Sequence, residues 1–287
     1  MLECVINVSE GRDLAFLAEL RTAAGPLAVD LHADADHHRA VFTLAGEAPE
    51  VEAAARRLAS SAVAHLDLNS HSGAHPRRGI LDVVPFVHVE PGTGGLLADA
   101  PIEAAVQARD RFANWAAGAL SLPCFLYGPG QPTLPELRRD AWVRRVPDTG
   151  PGTPHPTAGA CCVGARPVLV AYNLWLADPD LGAAREVAAA IRAPGLRTLG
   201  LRVGERVQVS CNLIDPWRVG PAAAFDAVAS RVAVAEAELV GLLPRAVLEA
   251  VPPSRWDTLG IGADKTIEAR MEAAGLDGGS SHAPAEG

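Results

Sequence analysis

Lysine is almost missing from this chain. Lys265 is the only one among 287 residues, so positive charge is carried by arginine. Any anionic ligand would then be gripped by guanidinium groups, which meet a carboxylate with two parallel hydrogen bonds. An excess of positive charge is missing too. The formal balance of −9 argues against bulk attraction to nucleic acid or to an anionic membrane. No apolar run reaches the ~18 uninterrupted residues of a membrane span. The first residues lack a basic segment followed by a long apolar stretch, so no secretory signal is expected. The cysteines are Cys4, Cys124, Cys161, Cys162 and Cys211, an odd set with irregular spacing and no CxxC pair. They give neither a disulfide framework nor a zinc finger. Reduced thiols in a cytoplasmic protein are expected, with Cys161 and Cys162 as a buried structural pair. The glycine-rich turn at 92–95 lacks a following Gly-Lys-Ser/Thr, so it is not a phosphate loop.

What is present is a hydrophobic content of 49% with clear periodicity. Residues 2–7 alternate into a strand. Asp13 is placed to cap a helix whose apolar face is Leu14, Leu17 and Leu20, ending at Gly25-Pro26. Strands follow at 27–32 and 39–45, around a polar loop. Residues 49–65 repeat apolar side chains at helical spacing, and 80–89 form a strand. The order is strand, helix, strand, strand, helix, strand, the split ferredoxin-like pattern. A long helix is expected over 98–120 and a strand over 123–127. Residues 128–164, rich in Pro, Gly and Arg, read as a functional loop or linker. Arg138, Arg139, Arg144 and Arg145 there are expected to be mostly solvated. The same six-element order then repeats: strand 168–174, helix 178–191, strands 197–203 and 206–213, helix 221–234, strand 238–243. This predicts an α/β (α+β) fold of two similar βαββαβ subdomains, 1–165 and 166–250, with a ligand cleft between them. A short helix is expected over 244–250, and residues 251–287 are expected to be a tail with another short helix over 265–274 and a disordered end.

Chemistry is expected in the run Asn69-Ser70-His71-Ser72-Gly73-Ala74-His75-Pro76-Arg77-Arg78-Gly79. His71 and His75 have helical spacing, but Gly73 and Pro76 oppose a helix, leaving a loop that carries titratable groups. Imidazole suits proton transfer near neutral pH; a polar turn with backbone-bonded histidines is the competing interpretation. A second crowded run, Asp30-Leu31-His32-Ala33-Asp34-Ala35-Asp36-His37-His38-Arg39, offers ligand types for zinc or similar ions. With His71 and His75 it motivates a metal-dependent hydrolase or metal-binding protein, although no HExxH or paired-Cys spacing supports one.

Several segments, in order, carry a resemblance. They are Glu3-Cys4-Val5-Ile6-Asn7-Val8-Ser9-Glu10-Gly11, then His75-Pro76-Arg77-Arg78-Gly79-Ile80-Leu81-Asp82 with residues 83–86, then residues 157–174. Val207-Gln208-Val209-Ser210-Cys211-Asn212-Leu213 and Leu239-Val240-Gly241-Leu242-Leu243-Pro244 follow. Together they resemble the glutamate formiminotransferase family, without its cyclodeaminase domain. The resemblance implies two α/β subdomains around a folate-binding cleft, and a transferase moving a formimino group between glutamate and tetrahydrofolate in histidine degradation and one-carbon metabolism. It implies His75 as the catalytic acid–base. It implies Asn7, His32, Arg39, His71, Arg77 and Gly79 as residues binding the folate or the amino-acid substrate, with no metal. Arg77 would meet a carboxylate of glutamate or of the folate tail. The partners are small molecules, neither nucleic acid nor membrane, and a homodimer is compatible. The chain departs from the family at three positions: His32 stands where an acidic residue is usual, His38 where asparagine is, and Ile6 where proline is. The first departure motivates a third interpretation, a folate-binding protein without catalysis.

Overall fold

A computed structural model describes residues 1–73, 77–92, 95–96 and 101–276. His75, the expected helix start at residue 98 and the end of the expected tail lie outside the described residues.

The first unit opens with β1 (Leu2–Val8), α1 (Leu14–Ala24), β2 (Ala28–Asp34), β3 (Arg39–Gly46), α2 (Ala48–His65) and β4 (Leu81–His88). Strand alternation decides the layers. Leu2, Cys4, Ile6 and Val8 are fully buried with Ala40, Phe42 and Leu44 of β3 against Leu17 and Leu20 of α1 and Val51, Ala55 and Leu58 of α2. Asp13 caps α1 by accepting the Phe16 N–H at 2.9 Å, and the chain leaves it through Gly25 at φ 82°. Burial of side chains of this size contributes ~1.5–3 kcal/mol each.

Two two-residue strands, β5 (Pro91–Gly92) and β6 (Gly95–Leu96), pair with each other. Next come α3 (Glu103–Leu120), β7 (Cys124–Tyr127), α4 (Leu134–Asp140) and β8 (Cys161–Ala165). The six-stranded sheet has the order β2-β3-β1-β4-β8-β7, antiparallel up to β4 and parallel beyond it. The expected loop at 128–164 therefore holds two elements. α4 is set by a capping box, in which Glu136 Oε2 accepts from the N–H and hydroxyl of Thr133 at 2.9 and 2.7 Å. β8 is buried on both faces, so it lacks the alternation that marks a half-exposed strand.

The second unit repeats the first with β9 (Val170–Leu176), α5 (Leu181–Ala190), β10 (Leu196–Val203), β11 (Arg206–Leu213), α6 (Pro221–Ala229) and β12 (Val234–Val240). Its order, β10-β11-β9-β12, matches β2-β3-β1-β4, so both halves of the α/β fold have the ferredoxin-like arrangement. α6 stops five residues before the expected end. Val234 pairs with Leu176, and strand pairing there outweighs local helical spacing.

The remaining α-helices among the described residues are α7 (Arg245–Glu249) and α8 (Ile267–Ala273). Leu259 and Ile261 complete the second core. Ile267 and Met271 of α8 close one end of the face of the first sheet opposite α1 and α2, with Val29, Ala45 and Val87. The other end is closed by Leu137 and Ala141 against Val83, Phe125 and Cys162. All five cysteines are free and buried. Among the described residues, no helix is long and apolar enough to cross a membrane.

Candidate active site

Between those closed ends that face of the first sheet meets the face of the second sheet opposite α5 and α6 through polar side chains. Register puts Asn7 and His32 opposite Val41, and Asp34 opposite Arg39, on one face. On the other, Glu238 lies opposite Asn173 and Gln208 opposite Trp175. Two bridges join the faces. His32 Nε2 sits 3.2 Å from Glu238 Oε1, while Glu238 Oε2 accepts from Asn173 Nδ2 at 3.1 Å and Trp175 Nε1 at 3.0 Å. Burial opposes ionisation of Glu238, but these three donors outweigh it and hold the carboxyl below its usual range. The second bridge runs from Asp34 Oδ2 to His37 Nδ1 at 2.5 Å, and from His37 Nε2 to the Gln208 amide at 3.4 Å. Asp34 Oδ1 also accepts from the N–H groups of Asp36 and His37. Burial again opposes the charge, yet the His37 ring and these N–H groups bring Asp34 down to about 2. A cavity of about 280 Å³ opens where His32 and Glu238 meet, lined also by Asp30, Glu236, Lys265 and Arg270.

At the rim three loops converge. Glu10 Oε1 accepts the N–H groups of Gly11, Arg12 and Asp13 at 2.8, 2.7 and 3.0 Å and faces His38 Nε2 at 3.9 Å. Gly11 presses against the turn between β2 and β3: a Cβ there would lie 2.1 Å from Asp34 O and 2.5 Å from Arg39 N. His38, at φ 49°, stacks edge-on against His71 with ring centroids 4.0 Å apart. His71 Nε2 reaches His38 O at 3.0 Å, and Arg77 Nη1 lies 2.7 Å from His71 Nδ1. Burial, with the Arg77 guanidinium and the His38 ring beside it, lowers the pKa of His71, outweighing the His38 carbonyl. The shift favours the neutral ring beside a permanent cation.

Behind the rim, arginines surround one carboxylate. Asp82, 2% exposed, accepts the Arg78 N–H at 2.8 Å and pairs with the guanidinium of Arg138. Arg139 and Arg144 are exposed, but Arg138 is not the solvated residue its sequence context suggests. Burial pulls Arg39 down to about 10, with Asp82 and Asp34 opposing and Arg138 and Arg77 adding to the fall. Among the described residues, no hydrogen bond or ion pair reaches the Arg39 guanidinium.

A family model described as "Formiminotransferase domain, N-terminal subdomain" matches residues 1–166. The chain is 31% identical over 279 residues to "Glutamate formimidoyltransferase" of Streptococcus pyogenes serotype M1, covering 86% of this chain and 90% of the relative.

The chain belongs to the formiminotransferase family.

It is an enzyme of the transferase class. A second relative of the same printed name, from Thermoplasma acidophilum, is 28% identical over 306 residues and covers 96% of this chain and 98% of the relative. "Formimidoyltransferase-cyclodeaminase" of Gallus gallus is 32% identical over 289 residues, and that match spans 51% of the relative.

Within this formiminotransferase, the structure brings Asn7, His32, Arg39, His71 and Arg77 to the cleft and its rim. Asn7 Nδ2 is turned to Val5 O at 3.1 Å. Gly79 is required by backbone packing: a Cβ would lie 2.2 Å from Ala160 O and 2.5 Å from Ala158 O. Sequence reasoning passed over Glu10, Asn173, Trp175 and Glu238. For Asn173 and Glu238 the signal lay in the outward positions of the second unit's strands, which read as ordinary solvent-facing polar residues until the sheets are placed face to face. Among the described residues, no three His, Cys, Asp or Glu side chains form a group that could hold a metal ion.

Proposed function

We propose that this enzyme moves a formimino group between the amine of glutamate and N5 of tetrahydrofolate, as a step of histidine degradation. Residues 1–165 and 166–250 are taken as the two subdomains that enclose the ligands, with 251–287 as the tail, acting on small molecules as a homodimer in the cytoplasm. The observation that carries the proposal is the half-buried Arg39 guanidinium, which has no hydrogen bond or ion pair among the described residues, at a cleft between two sheets, in a chain whose relatives are named glutamate formimidoyltransferase. Both proposed ligands carry carboxylates, and a guanidinium whose N–H groups are not already taken by hydrogen bonds suits them. Gln208 Oε1 and Thr43 Oγ1 are buried without a hydrogen-bond partner among the described residues.

Tetrahydrofolate, when bound, supplies the nitrogen that exchanges the formimino group. His75 takes a proton from the attacking amine and returns one to the departing nitrogen, a task matched to an imidazole of pKa ~6.5. Arg39 and Arg77 hold carboxylates. Asn7, His32 and His71 line the bound ligands, and Gly79 fixes the backbone that carries the loop. Calorimetric titration with tetrahydrofolate and with formimino-glutamate, followed by an assay of glutamate release, tests this. Wild type binds and turns over, and His75→Ala binds both ligands without turnover. Absence of folate binding by the wild type sinks the proposal.

A further inference from the structure

The carboxylate that the family resemblance leads one to expect at position 32 is replaced by a histidine, and the structure places a carboxylate against that histidine from the opposite sheet. Glu238 is not free to follow a ligand. Asn173 and Trp175 hold its Oε2, and Oε1 is left for His32 Nε2 at 3.2 Å. A carboxylate fixed in this way orients an imidazole and favours the tautomer with the proton on Nε2. That leaves Nδ1 as the basic nitrogen. Both side chains are about one-quarter exposed or less, and both line the cavity between the sheets. The other charged groups there are Asp30, Glu236, Lys265 and Arg270. Arg270 lies 3.9 Å from Asp30, and Lys265 is turned to Gly260 O at 2.8 Å, so neither contacts the His32–Glu238 pair.

We propose that His32 is a second proton-handling residue of the transfer reaction and that Glu238 is the residue that positions it. This rests on the formimino-transfer reading above. Transfer forms one C–N bond at the amidine carbon and breaks another. The two tasks given above to His75 alone are thereby divided: His32 Nδ1 accepts the proton that the attacking amine loses, Glu238 stabilises the imidazolium across the pair, His75 donates the proton that the departing nitrogen gains, and exchange with water resets both rings. Atoms balance without a further reactant. With two imidazoles present, no single ring has to serve both nitrogens.

The test is steady-state kinetics of glutamate release for Glu238→Gln, His32→Ala and the double variant, with and without added imidazole. Thermal melts confirm that each is folded, and His32→Gln replaces His32→Ala if that variant fails to fold. Glu238→Gln lowers kcat by about 10- to 100-fold, the weight of one charge-assisted hydrogen bond, with KM little changed. His32→Ala lowers kcat by about 100-fold. Free imidazole restores at least about tenfold of that in His32→Ala, because the cavity admits the ring and Glu238 orients it, and restores far less in the double variant. Unchanged kcat in Glu238→Gln, an effect confined to KM, or equal rescue of the single and double variants overturns the inference while the wild type remains active. A wild type that transfers no formimino group removes the underlying reading and the inference with it.

Discussion

Asp82→Asn is the sharpest probe of how the cleft is held. Asp82 lies at the start of β4, 2% exposed, between the Arg78 N–H and the Arg138 guanidinium. It is also the favourable charge felt most strongly by Arg39 and Arg77. Asparagine keeps the shape and one acceptor oxygen, so the Arg78 contact survives as a neutral bond. Its amide turns donors toward Arg138, where donors already point. One bond to a charged group is lost, about 1.5–3 kcal/mol, and the other is weakened by about half that. A broken buried pair costs about 3–5 kcal/mol. The Arg138 side chain keeps 26% of its surface in solvent, so the lower end applies, about 3 kcal/mol. At ~2–4 °C per kcal/mol for a chain of this size, Tm falls by about 6–12 °C. Calorimetric melts at pH 7 measure it, with Arg139→Ala as a surface control that melts with the wild type. A fall below about 2 °C refutes the idea that Asp82 is the counter-ion of this cluster.

Glu3, buried in β1, is pushed up to about 7 from 4.5, first by burial and further by Glu268, against the pull of Arg166. A carboxyl raised in the folded state leaves stability intact below its unfolded pKa and erodes it as pH rises through the folded value. Glu3→Gln should therefore match the wild type at pH 4 and exceed it by about 3 kcal/mol at pH 8; equal melts at both pH values would contradict the assignment. Arg39→Ala should weaken tetrahydrofolate binding about 10- to 100-fold by calorimetry and leave Tm nearly unchanged, since no hydrogen bond or ion pair reaches the guanidinium among the described residues. A large fall in Tm with unaltered affinity would make Arg39 structural.

Much of the fold was legible because both units are built from strands and helices with one buried face. The alternation of Leu2, Cys4, Ile6 and Val8 and the helical repeat of Val51, Ala55 and Leu58 need no partner to be read. β8 was not legible, because a short strand buried on both faces shows no period. The end of α6 was misplaced because Val232 and Val234 continue an apolar run whose fate is decided by pairing with β9. In the site, the loop histidines and arginines announce themselves by residue type. Glu238 and Asn173 do not, since a polar residue on the outward face of a strand looks solvent-exposed until a second sheet covers it.

By itself, then, the sequence determined the two repeated units, the family, the arginine-based charge and the loop with titratable groups, because periodicity and residue type are local. Tertiary structure decided which groups face one another. It joined His32 to Glu238 across 206 positions of chain, bound His37 to Gln208, wrapped Asp82 in arginines and left the Arg39 guanidinium without a hydrogen bond among the described residues. Those relations arise from the register of two sheets packed face to face. Register is a property of pairing between distant strands, and no short window of sequence contains it.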